Sequence, residues 1–278
     1  MSIEINTVYN ENCLDTMSRM PDNFIDLVVT SPPYDGLREY DGERGIDFMF
    51  EFYIIARLIY YKMKPGGVVV WVASDQSING SETLNCWRQL LYFVDSCGFN
   101  AHDTMVFEKL NYFPTRHNRY EQAWEPMFVL SKGPPKTFNP ITIPCVEAGR
   151  VKKWTEDGLG AKESKQAKSA RFRAGRVTVT RSEKYKSNVW KYSNGSHMST
   201  DKRAHEHPAI FSEELAGDHI VSWSNPGDLV YDPFAGSGTT PYMAKKLSRN
   251  WIASEISKKY CKKLIKPRLA GLLPWGEK

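Results

Sequence analysis

Two short segments of the sequence combine an apolar strand with a loop whose residue types could bind a ligand. Residues 25–30 lead into Ser31-Pro32-Pro33-Tyr34, and residues 229–231 lead into Asp232-Pro233-Phe234-Ala235-Gly236-Ser237-Gly238. Ligands of α/β folds bind at the loops that follow the carboxyl ends of the strands. The two loops together suggest a site for an unstacked base and a site for a nucleoside cofactor.

The first loop has residue types that suit an exocyclic amine on an aromatic base. Its two prolines fix the backbone torsion φ and hold the Ser31 and Pro32 carbonyls in place. The serine hydroxyl and the Pro32 carbonyl can accept hydrogen bonds from one amine, which localises the lone pair on its nitrogen. The Tyr34 ring can stack on the plane of the base. An ordinary turn that ends a strand is the alternative interpretation of these four residues.

The second loop has the pattern of a nucleotide-binding turn between a strand and a helix. Gly236 and Gly238 allow a ligand to approach the backbone closely. Because no lysine follows the second glycine, the loop is not a phosphate-binding Walker loop. Glu255 ends the next predicted strand, 23 residues after Asp232, and a carboxylate at that place suits the two hydroxyls of a ribose.

Apolar strands alternate with helices on both sides of a central polar segment, which predicts a mostly parallel sheet with helices on both faces. Ser81 is the expected cap of the second helix, and Gly98 is its expected end. The central residues 134–204 are rich in Pro, Lys, Arg, Ser and Gly and predict an inserted, irregular or partly β module. Strands are predicted at 28–29, 68–72, 104–107, 127–130, 228–231 and 250–255, and helices at 48–63, 81–97, 211–223, 239–247 and 258–265.

Positive charge is concentrated in one part of the chain. Residues 150–203 contain fifteen Lys or Arg against five Asp or Glu, a local charge of +10, whereas the whole chain carries +5. Aromatic residues are interleaved with these charges, as is typical of a surface that contacts nucleic acid. A solvated, flexible loop is the alternative interpretation of the same charges.

Length and composition exclude several classes of protein. A chain of 278 residues can bury one large α/β core and still carry an inserted module. We find no apolar stretch long enough to cross a bilayer and no secretory signal in residues 1–6. The five cysteines are dispersed without a Cys-x-x-Cys pair, which indicates reduced thiols in a cytoplasmic protein and no metal site.

The two loops and their order resemble the DNA amino-methyltransferases of the β order, in which the catalytic loop precedes the target-recognition region and the cofactor loop comes last. The resemblance covers nearly the whole chain through residues 26–34, 66–72, 104–109, 125–132, 207–211 and 232–240. It implies a Rossmann-like, S-adenosylmethionine-dependent methyltransferase fold with a circularly permuted motif order. Residues 1–133 would form the catalytic half, 134–204 the inserted basic target-recognition region and 205–278 the cofactor-binding half.

The resemblance implies methyl transfer from S-adenosylmethionine to the N4 amine of a cytosine flipped out of double-stranded DNA, because the serine form of the catalytic motif is typical of cytosine-N4 enzymes. The implied catalytic residues are Ser31, Pro32, Pro33 and Tyr34. The implied cofactor-binding residues are Asn12, Cys13, Thr30, His207, Pro208, Ala209, Phe211, Asp232, Phe234, Ala235, Gly236, Ser237, Gly238, Thr239 and Glu255. The implied DNA-binding residues are Arg171, Arg173, Arg176, Lys184 and Lys186.

Two positions depart from the family pattern. Asn12 stands where the family often has an acidic residue that meets the adenine of the cofactor, and Ser212 stands where a proline usually follows Phe211. Adenine N6 is the alternative target within the same fold. A catalytically silent DNA-binding module and a methyltransferase of RNA or of a small molecule are the rivals from other classes, and the two intact loops count against the first. A cognate restriction endonuclease and the oligomeric state stay open.

Overall fold

The computed structural model describes residues 2–33, 48–112, 118–153, 177–193, 199–207 and 210–271. By their contacts, the residues form two compact units. The larger unit comprises Met1–Asn139 and Asn188–Lys278, and the smaller unit comprises Pro140–Ser187. Both predicted ligand loops belong to the larger unit.

A mixed sheet lies at the centre of the larger unit. In chain order, the strands of the described residues are β1 (Thr7–Tyr9), β2 (Ile25–Thr30), β3 (Met63–Val72), β4 (Ser77–Ile78), β5 (Ser81–Glu82), β6 (Asn100–Lys109), β7 (Trp124–Ser131), β8 (Thr142–Pro144), β9 (Val151–Lys153), β10 (Val177–Val179), β11 (Glu183–Tyr185), β12 (Val189–Tyr192), β13 (Leu229–Asp232) and β14 (Asn250–Ser254). Eight of them form the central sheet in the order β1-β14-β13-β2-β3-β7-β6-β12. Strand β7 is antiparallel to both of its neighbours, and the other neighbouring pairs are parallel. The predicted α/β class and mostly parallel sheet are confirmed.

Several helices begin or end at residues that suit their termini. They are α1 (Cys13–Ser18), α2 (Phe48–Lys62), α3 (Asn85–Tyr92, continued by a π-helical turn Phe93–Cys97), a 3₁₀ helix (Lys202–Glu206), α4 (Glu213–Trp223), α5 (Thr239–Lys246), α6 (Lys258–Tyr260, continued by a π-helical turn Cys261–Ile265) and α7 (Lys266–Ala270). Ser212 caps α4 by accepting a hydrogen bond from the Leu215 amide, and Glu213 and Glu214 place negative charge in its first turn. Gly98 ends the π-helical turn after α3 with a φ of 90°.

Both faces of the central sheet are buried at its middle strands. Val69 and Trp71 of β3 belong to the main hydrophobic core, which also includes residues of α1, α2 and α3. Their neighbours Val68 and Val70 are also at most 1% exposed. Because successive side chains of a strand point to opposite faces, both faces of the sheet are covered at β3. Helix α4 contacts β2, and helix α5 contacts β13 and β14.

The prediction for residues 81–97 was wrong at its start. Ser81 lies in β5, which pairs with β4 in a short hairpin, and α3 begins only at Asn85. Asp75 provides the reason, because its Oδ1 accepts hydrogen bonds from the Thr83 hydroxyl and the Cys86 amide. These bonds turn the chain into the helix without Ser81.

The smaller unit contains short, exposed hairpins. Strand β8 pairs antiparallel with β11, and β9 pairs antiparallel with β10. Strand β12, which follows this unit in the chain, pairs instead with β6 of the central sheet. Among the described residues, the helices are all too short or too polar to cross a membrane.

Candidate active site

The two predicted loops follow neighbouring strands of the central sheet. Strands β2 and β13 are parallel partners, with Leu27 opposite Val230 and Val28 opposite Tyr231. Residues 31–33 follow β2 and residues 233–238 follow β13. The carboxyl ends of parallel neighbours meet at one edge of a sheet, so the two loops start side by side although 202 positions separate Thr30 from Asp232.

A buried hydrogen bond connects the ends of these two strands. The Thr30 hydroxyl donates to Asp232 Oδ1 at 2.6 Å, and the Phe234 amide donates to the same oxygen at 3.0 Å. The Thr240 hydroxyl of α5 donates to the Val29 carbonyl at 3.1 Å, which is a second connection between the two segments. Burial raises the pKa of Asp232 to about 6, although the hydrogen bonds from Thr30 and Phe234 lower it.

The raised pKa of Asp232 predicts a specific pH dependence of stability. A carboxyl whose pKa is higher in the folded state stabilises the fold at low pH, and that contribution is lost as the pH rises through about 6. Asn at this position could accept the same two hydrogen bonds without a charge. Relative to Asp232→Asn, the wild type should therefore lose on the order of 2 kcal/mol of unfolding free energy between about pH 4.5 and about pH 7. Urea titrations of both proteins at the two pH values measure this loss of unfolding free energy. An equal change of stability with pH in the two proteins would contradict the prediction.

The glycine loop has backbone torsions that favour glycine. Gly236 has a φ of +53° and Gly238 a φ of +78°, in the left-handed region. A Cβ atom at Gly236 would lie 3.0 Å from His207 Nε2, and one at Gly238 would lie 2.9 Å from Ile265. The Ala235 amide donates to the Ser254 carbonyl at 2.9 Å, which fixes the loop against β14.

The Glu255 side chain lies at the end of β14, next to the glycine loop. Its Oε2 accepts a hydrogen bond from the Gly236 amide at 2.7 Å, and its Oε1 accepts one from the Ser257 amide at 2.8 Å. The amide of Asn10 donates to the Glu255 carbonyl at 2.9 Å. The carboxylate is thus held in one orientation at the carboxyl edge of the sheet. Each carboxylate oxygen can accept more than one hydrogen bond, so hydroxyl donors of a ligand suit this place.

His207 is the next predicted residue that the structure brings to this loop. Its ring is buried, lies beside Gly236 and contacts the Tyr260 ring at a centroid distance of 4.6 Å. Phe211 is half-buried, just before the cap of α4. Pro208 and Ala209 lie outside the described residues.

The N-terminal residues predicted to meet the cofactor are placed by α1. The Asn12 side-chain oxygen accepts a hydrogen bond from the Leu14 amide at 2.9 Å and so caps the helix. Cys13 is buried behind it, and burial raises the pKa of its thiol to about 12. The thiol therefore stays protonated at neutral pH.

The predicted catalytic loop is described up to its second proline. Pro32 is buried, and Ser31 and Pro33 are half-buried. Tyr34 lies outside the described residues, as do Arg171, Arg173 and Arg176 of the basic segment. Lys184, in β11 of the smaller unit, is exposed, and the Lys186 amide donates to the Ile141 carbonyl in the same unit.

Two residues near the cofactor loop were missed by the sequence analysis. Asn10 contacts the end of β14 through its side-chain amide, and Ser257 caps α6 while its amide donates to Glu255. Ser257 directly precedes the predicted helix at 258–265, which was a usable signal for a cap. Neither residue type shows that these segments hold Glu255.

Comparison with known proteins identifies the family. A family model described as DNA methylase matches residues 25–266. The orphan methyltransferase M.BamHII of Bacillus amyloliquefaciens is 47% identical over 240 residues, which cover 85% of this chain and 86% of that protein. The DNA adenine methyltransferase YhdJ of Escherichia coli is 25% identical over 271 residues, covering 93% and 81%.

A solved structure also has the same fold. The PvuII DNA methyltransferase, described as cytosine-N4-specific, matches with a TM-score of 0.69 and 21% identity, covering 100% of this chain and 89% of that one. Since the family model spans most of the chain and a relative with 47% identity matches nearly end to end, the protein belongs to the DNA methylase family.

Proposed function

We propose that this protein transfers a methyl group from S-adenosylmethionine to the exocyclic N4 amine of a cytosine in double-stranded DNA. The observation that carries the proposal is the hydrogen bond between the ends of the two strands that precede the loops. Ser31 directly follows Thr30, whose hydroxyl donates to Asp232 at the start of the glycine loop. A base amine at Ser31 and a cofactor at the glycine loop would therefore lie at one edge of one sheet.

The cofactor loop and its surroundings fit S-adenosylmethionine, the methyl donor of this family. Two glycines with positive φ leave the space that a side chain would fill, and Glu255 presents a fixed carboxylate beside them. In this proposal Glu255 accepts hydrogen bonds from the ribose hydroxyls, and His207 and Phe211 lie towards the methionine part. When bound, S-adenosylmethionine supplies the methyl group on its sulfonium.

The residues of the catalytic loop orient the target amine. Ser31 and the Pro32 carbonyl accept hydrogen bonds from the amine, which keeps its lone pair aimed at the methyl group. With the cofactor bound, the amine nitrogen would bond to the methyl carbon as the sulfur–carbon bond breaks, and the amine would then lose one proton to solvent. Tyr34 stacks on the flipped base. Most of the rate enhancement comes from positioning and from hydrogen bonds to the developing positive charge, rather than from a strong base.

Adenine N6 is the second candidate target, and one observation favours it. The relative YhdJ is named an adenine methyltransferase and covers more of this chain than M.BamHII does. Ser31 favours cytosine, because adenine enzymes of the family more often have Asp or Asn at that position. The segments implied for DNA recognition are the same under either target.

Transfer of a labelled methyl group from S-adenosylmethionine tests the activity and its substrate class. Unmethylated duplex DNA of mixed sequence should acquire label, whereas RNA of the same sequence should not. Label on RNA alone would contradict the DNA assignment, and label on neither would indicate a silent DNA-binding module.

The dispersed thiols, all five free, suit the reducing cytoplasm in which such an enzyme would act. M.BamHII is named an orphan, which favours a methyltransferase without a cognate endonuclease.

We further propose that residues 134–204 include the DNA-reading part. Replacing Arg171, Arg173 and Arg176 by Ala should weaken DNA binding and flatten its salt dependence, since each neutralised phosphate contributes a slope of about −0.9 in log affinity against log salt concentration. Affinity for S-adenosylmethionine should not change. Fluorescence anisotropy at several salt concentrations measures both the affinity and the slope. Unaltered DNA affinity and slope in the triple variant would mean that these charges are only a solvated surface.

A further inference from the structure

Arg268 of helix α7 is one of the largest fully buried side chains among the described residues. It is only 1% exposed, whereas the five lysines of the same segment, at positions 258, 259, 262, 263 and 266, are exposed. Arginine is almost never fully buried unless it is paired. The burial of Arg268 therefore needs an explanation, whereas the exposure of the neighbouring lysines does not.

The guanidinium of Arg268 contacts the glycine loop with one nitrogen. Its Nη1 donates to the Ser237 carbonyl and to the Thr239 hydroxyl, each at 3.0 Å. Ser237 lies between Gly236 and Gly238, both with positive φ. Glycines restrict the backbone little, so the loop needs contacts from outside to adopt one conformation. Arg268 supplies such a contact in the middle of the loop.

The other terminal nitrogen contacts a second cluster of residues. Nη2 donates to Glu213 Oε1 at 2.5 Å and to the Ser199 hydroxyl at 3.1 Å. Glu213 also accepts hydrogen bonds from the hydroxyls of Ser199 and Thr200, at 2.6 Å and 3.0 Å. These charge-assisted hydrogen bonds hold the pKa of Glu213 below its usual value, although burial raises it. The carboxylate is therefore ionised and stays paired with Arg268 at neutral pH.

A buried ion pair is weak evidence for stability as such, because removal of two charges from water offsets most of their attraction. What the planar guanidinium does provide is fixed geometry, since its nitrogens donate in set directions. Here it joins three segments that are remote in sequence: the loop at 236–238, the first turn of α4 and residues 199–200. The first turn of α4 follows Phe211 directly, so the same side chain also orients the segment expected to lie towards the methionine part.

We propose that Arg268 is a positioning residue for S-adenosylmethionine, which holds the glycine loop in its binding conformation before the cofactor arrives. This inference rests on the assignment of that loop in the proposed function. Preorganisation of a loop raises affinity because binding no longer has to order it. Loss of Arg268 should therefore weaken cofactor binding more than DNA binding.

Arg249 offers a matched control. It is half-buried and makes three hydrogen bonds, to the Ser224 hydroxyl, the Ser224 carbonyl and the Leu247 carbonyl. It precedes β14 and so lies at the opposite edge of the sheet from the glycine loop. Arg249→Met thus removes a comparable set of contacts without touching the candidate cofactor site.

The test compares Arg268→Met, Arg268→Lys and Arg249→Met in the full-length protein by calorimetry with S-adenosylmethionine, by DNA binding and by urea unfolding. We expect the cofactor Kd to rise at least tenfold in Arg268→Met and by less in Arg268→Lys, while DNA affinity stays unchanged. Arg249→Met should lower stability but leave the cofactor Kd as in the wild type.

The proposal would be overturned by an unchanged cofactor Kd in Arg268→Met or by an equal rise in Arg249→Met. If Arg268→Met does not fold, Arg268→Lys provides the test, because one ammonium nitrogen cannot occupy both Nη positions. A wild-type cofactor Kd in Arg268→Lys would then overturn the proposal. Gly236→Asp separates this inference from the assignment of the loop. If Gly236→Asp removes cofactor binding and the Arg268 variants do not, only the role of Arg268 is wrong.

Discussion

Gly236→Asp is expected to abolish binding of S-adenosylmethionine while the protein stays folded. A side chain at this position would start 3.0 Å from His207 Nε2, and its charge would lie beside the Glu255 carboxylate that the Gly236 amide contacts. The variant would thus crowd His207 and add repulsion between carboxylates in the space that we assign to the cofactor. The backbone cost is modest, about 1–2 kcal/mol for a left-handed residue, and Asp tolerates that conformation better than most. Calorimetry with S-adenosylmethionine measures the effect.

Gly227→Asp is the matched control for this substitution. Gly227 also has a positive φ, +88°, but a Cβ atom there would meet nothing within 4 Å. It lies in the turn before β13, at the other end of the strand from the cofactor loop. Gly227→Asp should therefore bind the cofactor normally. Wild-type affinity in a folded Gly236→Asp variant would contradict the assignment of the loop.

Tyr34→Ala is expected to slow methylation strongly, and Tyr34→Phe much less. Stacking on a flipped base needs the aromatic ring and not the hydroxyl, and loss of such stacking costs about 1–3 kcal/mol, or roughly 5-fold to 150-fold in rate. Single-turnover rates of methyl transfer to duplex DNA measure the effect, with cofactor affinity as the internal control. Equal losses in both variants would mean that the hydroxyl, and not the ring, is what the reaction needs.

The sequence was most informative where local pattern determines structure. Apolar runs predicted the strands that carry Ser31 and Asp232, and the following residue types predicted ligand loops. Adjacency of β2 and β13 could be inferred only from the family resemblance, because pairing between strands about 200 positions apart leaves no local pattern. The hydrogen bond from Thr30 to Asp232 depends on that adjacency.

Single buried polar residues were the least predictable part of the site. Arg268 stands among five lysines and looks like one more surface charge, yet its partners lie 31 and 55 positions away, at Ser237 and Glu213. The start of α3 shows the same effect locally. Ser81 has the residue type of a helix cap, but the contacts of Asp75 with Thr83 and Cys86 place the helix start later. In both cases specific side-chain contacts outweigh what the residue type alone predicts.

We propose above that the amine oriented at Ser31 belongs to cytosine. Duplex DNA methylated by the purified protein with labelled S-adenosylmethionine can be digested to nucleosides and separated by chromatography with mass detection. We expect label in N4-methylcytosine. Label in N6-methyladenine alone would contradict the cytosine assignment.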